Sequence, residues 1–197
     1  MSVSRETMER LEVYGQLICE WNPHINLVAP STIKELRKRH FDDCLQVLDL
    51  GEFEAGKWVD LGSGAGLPGL ILAIALADSQ VTLTLVESDQ RKGAFLRAVV
   101  RETGLKNVTL LCQRIEDGSP LNAAYISARA LAPLSQLMPY LDLHLARTGK
   151  AFLMKGRQWK SEVDEAKRDW VFDYLAHPSR TQDGAAILEV SGVQRGI

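Results

Sequence analysis

The residues best equipped for chemistry fall in one stretch, Val59-Asp60-Leu61-Gly62-Ser63-Gly64-Ala65-Gly66-Leu67-Pro68-Gly69. The apolar run Trp58 to Leu61 has the length of a buried strand and breaks into a turn with four glycines in eight residues. A second apolar run, Leu67 to Ala77, has helical length. Glycine permits positive φ and lets a ligand lie against the main chain without meeting a Cβ. The helix start adds free N–H groups pointed at whatever is bound there. Strand, glycine turn and helix make the nucleotide-cradling unit of open α/β sheets.

Gly64-Ala65-Gly66-Leu67-Pro68-Gly69 formally matches the dinucleotide fingerprint G-x-G-x-x-G, but Pro68 removes a backbone donor where a pyrophosphate needs one. The first glycine after the strand is Gly62 and Asp60 precedes it, so the register is D-x-G-x-G-x-G. That is the pattern of class I methyltransferases, whose cofactor S-adenosylmethionine (SAM) carries a sulfonium and an amino-acid tail and no phosphate. On this reading Asp60, Gly62, Gly64, Ala65, Gly66 and Leu67 are cofactor residues, with the Asp60 carboxylate facing the positively charged part of the ligand.

In open α/β sheets ligands bind outside the carboxyl ends of the strands, so the residues after each predicted strand are the remaining candidates. Val81 to Val86 ends at Glu87, about twenty residues past the glycines, where a carboxylate can accept both ribose hydroxyls. An NAD enzyme uses the same device, so Glu87 marks an adenosine-type ligand without naming it. After Val108 to Leu111 come Ile115 and Glu116, an apolar wall and an acceptor for an exocyclic amine. After Ala124 to Ala128 comes Arg129, costly to place beside an apolar strand without a partner. Two readings of it stay open: contact with cofactor or substrate at the floor of the site, and a structural ion pair with Asp60 or another acid. After Lys150 to Met154, Lys155, Arg157 and Lys160 surround Gly156 and Trp159, a composition suited to phosphate contact and base stacking.

Helices must alternate with these strands from Lys57 onward, which implies a mainly parallel sheet of α/β class. They are expected after the glycine turn, through Arg91, Lys92, Phe95, Leu96, Val99 and Val100, and over about Leu134 to Leu145. Two last strands, about Asp169 to Ala176 and Ala185 to Val190, pair as an antiparallel edge. Ahead of the sheet, residues 4 to 22 form an amphipathic helix with Met8, Leu11, Tyr14, Leu17, Ile18 and Trp21 on one stripe, stopped by Pro23. Pro30-Ser31-Thr32 with Glu35 predicts a capped second helix that buries Leu36, Phe41, Leu45 and Leu48. Its basic run Lys34, Arg37, Lys38, Arg39 and His40 is either a solvated face or, around Arg39-His40-Phe41-Asp42-Asp43, a wall of the cofactor mouth. Residues 1–50 are thus read as a helical cap on an α/β core of residues 51–197, together one domain.

A length of 197 residues and a hydrophobic content of 46% suit one globular domain with a sizeable core. The formal net charge of −2 excludes a general polyanion binder, so any contact with nucleic acid must come from local basic patches. No apolar run is long enough to span a membrane, and the polar Ser2 to Arg10 start has no secretory signal. Cys19, Cys44 and Cys112 lie too far apart for a zinc cluster or disulfide scaffold, and His24, His40, His144 and His177 show no metal spacing. A reduced, cytoplasmic, metal-free monomer is the expectation.

Trp21-Asn22, Asn26-Leu27, Arg39-His40 with Asp42-Asp43, the loop from Asp60 to Gly69, Glu87-Ser88, Arg91-Lys92, Phe95-Leu96, Ser127-Ala128-Arg129-Ala130 and Lys155-Gly156 occur in this order. The set resembles the bacterial small-subunit ribosomal RNA guanine-N7-methyltransferase G family, also called glucose-inhibited division protein B, over about residues 8 to 193. The resemblance implies a class I SAM-dependent methyltransferase fold, Rossmann-like, with a mostly parallel seven-stranded sheet. It also implies methylation of N7 of one guanine in small-subunit (16S) ribosomal RNA, free or assembled. By motif it makes Gly62, Leu67, Ile115, Glu116 and Arg129 cofactor residues, with Glu87 for the ribose. Two departures are visible: Ala124 stands where relatives often carry an acid, and Cys44 where the motif usually has serine.

Guanine N7 has a lone pair and no proton, so its attack on a methyl group needs no general base. No acid or base is therefore assigned, and Arg129 and Lys155 are positioning residues. Alignment of reacting atoms ~3–3.5 Å apart is the main resource for such a transfer. Positive charge moves onto the purine, so acidic or carbonyl groups help more than cations. Arg39, His40, Arg91, Lys155, Arg157 and Lys160 are the candidate RNA contacts. Two other readings stand beside this one: a SAM methyltransferase acting on a small molecule or protein, and a non-catalytic nucleotide-binding module.

Overall fold

The computed structural model describes residues 4–196, so the Ser2–Val3 part of the polar start lies outside it. Alternation within one strand sorts the core. The strand β1 (Gly56–Leu61) sends Trp58 to one face of the sheet and Val59 and Leu61 to the other. With β2 (Val81–Val86), β3 (Val108–Leu111), β4 (Ala123–Arg129), β5 (Leu145–Lys155), β6 (Trp170–Pro178) and β7 (Ala186–Arg195) it forms a seven-stranded sheet of order β3-β2-β1-β4-β5-β7-β6. The strands from β3 to β5 pair in parallel, and β7 runs antiparallel between β5 and β6. The expected antiparallel edge is present, but the chain's last strand takes the inner place. Its run Ala186-Ile187-Leu188 is buried, whereas Val171 and Leu175 of β6 are 62% and 61% exposed. The more apolar strand gains more by being covered on both sides.

The helices are α1 (Arg5–Trp21), α2 (Asp42–Leu45), α3 (Gly69–Ala75), α4 (Gln90–Thr103), α5 (Leu134–His144) and α6 (Trp159–Ala166). α1, α3 and α4 share a core with Trp58, Leu83, Leu85 and Phe152, while α5 and α6 cover Val59, Leu61, Ile126 and Leu153. α1 begins at Ser4, whose hydroxyl accepts from the Thr7 N–H at 3.1 Å, and its Leu11, Tyr14 and Ile18 are buried. No helix among the described residues is long and apolar enough to cross a membrane.

The predicted second helix is instead a broken succession: a 3-10 turn Pro30–Glu35, a π turn Arg37–Phe41, α2, and another 3-10 turn Gln46–Leu50. The capping box does not form, because the Thr32 hydroxyl donates to the Ala29 carbonyl at 2.7 Å. Leu36, Phe41 and Leu48 are buried as expected, with Leu45 partly so. The wide π turn aims Phe41 at Tyr14, ring to ring at 5.1 Å, while the preceding His40 reaches Arg129. The helix after the glycine turn starts at Gly69 and not Leu67. Ala124 lies at a register irregularity at the start of β4, at the opposite end from Arg129.

Candidate active site

The loop after β1 is held by two side chains from elsewhere. Glu87, at the end of β2, accepts from the Gly64 N–H and the Asp89 N–H, both at 2.7 Å. Each of its carboxylate oxygens keeps a further lone pair for a ligand hydroxyl. Tyr14, fully buried in α1, donates its hydroxyl to the Ala65 carbonyl. Gly64 has φ +56°, and a Cβ there would meet only the Gly62 carbonyl, at 3.8 Å. Its open side is therefore available to a ligand.

Asp60 is not part of that open side, which corrects the expectation that its carboxylate faces the ligand. Strand alternation turns it to the face covered by α3, where it is fully buried. Its Oδ1 accepts from the Ser127 hydroxyl at 2.6 Å, and Ser127 Oγ in turn accepts from the Trp58 indole N–H at 3.0 Å. Its Oδ2 has no hydrogen-bond partner. Gly69 permits this packing, since a Cβ there would come within 2.6 Å of Oδ2. Burial pushes the carboxyl up from 3.8 to about 6, against the hydrogen bond from Ser127.

A raised acid is protonated in the folded protein where the unfolded chain has released the proton, so stability falls as pH rises from about 4 to 6. His40 slopes the opposite way, because its folded value is about 4 and its ordinary one 6.5. Comparison with Asp60→Asn isolates the aspartate. Relative to the variant, the wild type should lose about 2–3 kcal/mol of unfolding free energy between pH 4 and 7. Denaturant titrations at both pH values measure it, and a difference that stays flat with pH would show that Asp60 is not buried as a strained acid.

A cavity of about 490 Å³ opens over the C-terminal ends of the parallel strands. Gly62, Gly64, Ala65, Leu67, Glu87, Ile115, Glu116 and Arg129 of the predicted set line it, and Asp60 and Gly66 do not. The sequence reading missed Leu27, Lys92, Gln113, Gln136 and Tyr140. Leu27 is placed by buried Asn22, whose side-chain oxygen accepts from the Leu27 and Val28 amides at 3.0 and 2.9 Å. An Asn directly before Pro23 at a helix end is a legible turn signal. Ile115 is 8% exposed, and its carbonyl accepts from His144 Nε2 at 2.9 Å. Glu116 is exposed and pairs with Arg114 at 2.5 Å; its own backbone N–H and that guanidinium hold its carboxyl below the usual range. The volume suits a small ligand (about 300–1,000 Å³). An apolar wall, a carboxylate with spare lone pairs and a loop face without a Cβ fit the adenosine part of SAM.

Arg129 does pair with an acid, but with Asp43 of α2. Its Nη1 donates to Asp43 Oδ2 at 3.2 Å, and its Nη2 to His40 Nδ1 at 2.8 Å. A guanidinium only donates, so His40 Nδ1 accepts, and we assign the proton to Nε2, which reaches the Thr32 hydroxyl at 2.8 Å. Burial, then the neighbouring Arg129, lower His40 to about 4. Asp43 also accepts from Gln46 and from Thr181 in the β6–β7 connection. Cys44 beside it is buried, and its thiol is pushed up to about 12.

The basic residues divide. Lys155 is nearly buried, with its ammonium on the Ala132 carbonyl and the Glu162 carboxylate, each at 2.7 Å. It ties β5 to α6, and its charge is spent inside the protein rather than offered to phosphate. Arg39 is exposed and has no ion-pair partner among the described residues. Arg91 is exposed, 3.6 Å from Asp89. Arg157 donates to the Asp183 carbonyl at 3.1 Å, and Lys160 lies over the Trp159 ring at 5.5 Å.

The reversal of strand order at β1 and β4, the glycine loop between β1 and α3, the acid after β2 and the inserted antiparallel β7 define a class I SAM-dependent methyltransferase. Solved structures share this fold. A SAM-dependent methyltransferase from Aquifex aeolicus superposes with a TM-score of 0.62 over 83% of this chain and 98% of its own, at 14% identity. Fibrillarin from Aeropyrum pernix, with natively bound SAM, gives 0.57 over 78% and 74%, also at 14%. The chain belongs to the GidB family, rRNA small subunit methyltransferase G, whose family model matches residues 7–186. The ribosomal RNA small subunit methyltransferase G of Paracoccus denitrificans is 53% identical over 98% of this chain and 99% of its own. That of Gluconobacter oxydans is 46% identical over 100% and 99%.

Proposed function

We propose that the protein methylates N7 of a guanine in small-subunit ribosomal RNA. One observation supports this choice of atom: His40, Asp43, Cys44 and Lys155, the titratable side chains grouped on the acceptor side of Arg129, are committed. Both His40 nitrogens are engaged, Asp43 and Lys155 sit in ion pairs, and the Cys44 thiol is held protonated. A site without a free base suits an acceptor that attacks through a bare lone pair, as guanine N7 does.

When bound, SAM supplies a methyl group activated by a positively charged sulfur. The loop at Gly64, the Glu87 carboxylate and Ile115 would hold its adenosine. Arg129, fixed by Asp43 and His40, orients the acceptor side, and the Asp43 carboxylate stands near the charge that develops on the purine. A ribosomal RNA substrate places the reaction in the cytoplasm. Transfer of labelled methyl to stripped small-subunit RNA and to intact subunits, followed by nucleoside analysis, tests the reading. Label in N7-methylguanine is expected, and label on a proton-bearing nitrogen of any base would overturn it.

RNA attraction must come from the exposed bases, since the chain carries a net charge of −2. Binding should weaken with salt by a slope of about −0.7 to −0.9 per phosphate contact. Arg157→Ala and Lys160→Ala should each lower that slope by about one contact, keep SAM affinity and lose methyl transfer. Wild-type rates across the salt range would move the RNA surface to Arg39 and the π turn.

A further inference from the structure

His144, the last residue of α5, is 1% exposed, and the reaction given above makes no use of it. Its Nε2 lies 2.9 Å from the Ile115 carbonyl, which can only accept, so we assign the ring proton to Nε2. Nδ1 is then a bare acceptor, and it is buried with no hydrogen-bond partner. A leucine would fill the same space and orphan no nitrogen, so packing alone does not account for a histidine here. What the imidazole adds is one hydrogen bond to the loop after β3.

That loop has few other anchors. From Gln113 to Asp117 it carries no helix or strand. Among the described residues its other hydrogen bonds stay within it: the Asp117 N–H to the Arg114 carbonyl at 3.4 Å, and the Arg114 guanidinium to Glu116 at 2.6 Å. Ile115 and Glu116 line the cofactor cavity, as do Gln136 and Tyr140, which share a face of α5 with His144 at four-residue spacing. A trans peptide directs its C=O and the following N–H to opposite sides. The Ile115–Glu116 peptide is trans, since Leu67–Pro68 is the one cis bond among the described residues. His144 draws the Ile115 carbonyl into the core, which turns the Glu116 N–H toward the cavity. There that N–H meets the carboxylate of its own residue, an acceptor that an incoming ring nitrogen can replace.

We propose that His144 makes the cofactor site select adenine: by holding the Ile115 carbonyl it aims the Glu116 N–H at adenine N1. The Glu116 carboxylate, released from its own N–H, takes the exocyclic amine. The proposal rests on the cofactor placement given above. Adenine offers an acceptor at N1 beside the donor amine. Hypoxanthine offers the reverse, an N1–H donor beside an acceptor oxygen, so both of its groups meet their own kind. His144 touches neither cofactor nor reacting atoms; it acts through the loop, as a positioning residue.

S-adenosylhomocysteine and its hypoxanthine counterpart, titrated calorimetrically into the wild type, should differ in affinity by about 10- to 100-fold. In His144→Leu the ratio should fall to within about threefold, because the freed peptide can turn over and offer its carbonyl to the hypoxanthine N1–H. His144→Gln, whose amide N–H reaches about as far as Nε2, should restore most of the ratio. A merely structural role for His144 predicts otherwise: a loosened α5 lowers both affinities together and leaves the ratio in place. Should the leucine variant not fold, His144→Asn, whose amide stops short of Ile115, carries the same test. A wild type that binds both ligands alike overturns the proposal, and so does a wild-type ratio in the leucine or asparagine variant. If the wild type binds neither ligand, the cofactor placement itself falls; if it selects adenine and His144→Leu selects it equally, only the role of His144 falls.

Discussion

Gly64→Val is expected to abolish SAM binding in a protein that remains folded. A residue at φ +56° with a Cβ costs about 1–2 kcal/mol, and a β-branched one more. That is a fraction of the roughly 5–15 kcal/mol that holds a domain together. The loop's anchors survive the change: the Gly64 amide still donates to Glu87, and Tyr14 still reaches the Ala65 carbonyl. The added isopropyl group would stand in the open side of the loop, where a built Cβ has only the Gly62 carbonyl for a neighbour. Calorimetric titration should show no detectable heat, while the thermal unfolding transition stays cooperative. Retained SAM affinity would remove this face of the loop from the cofactor site.

Asp43→Ala should both destabilise the protein and stop methyl transfer. Asp43 binds Arg129 across 86 positions of sequence, and it also receives Gln46 and Thr181. Breaking a buried pair on one side typically costs about 3–5 kcal/mol. Here the side chains are 17% and 15% exposed, so about 2–3 kcal/mol is expected once solvent screening is allowed for. Arg129→Ala should cost about the same. The double variant should cost clearly less than the sum, because the orphaned charge is gone. Denaturant unfolding of the four proteins gives the coupling directly, and additivity would show that the pair does no structural work. SAM affinity should fall modestly and turnover steeply in Asp43→Ala, since Arg129, which Asp43 holds, lines the cofactor cavity.

Local signals in the chain determined the parts of this protein that depend on neighbours in sequence. The glycine spacing after an apolar run dictates three positive-φ positions, Gly62, Gly64 and Gly66, and therefore a turn that exposes backbone to a ligand. The alternation of apolar runs with amphipathic ones dictates the parallel sheet, and the rule that ligands sit at strand ends makes Glu87, Ile115, Glu116 and Arg129 legible. Tertiary structure alone decided how those side chains are used. Asp60 stands two residues before Gly62, yet strand alternation and the packing of α3 bury it away from the ligand. Lys155 reads as a phosphate ligand until α6 brings Glu162 to its ammonium. The basic run that begins at Lys34 reads as a helix, but a π turn sets His40 against Arg129. The physical reason is common to all three: an ionisable side chain near the core takes whichever counter-charge or hydrogen-bond partner the folded chain brings within about 3 Å, since burying it with none costs more than any local preference returns.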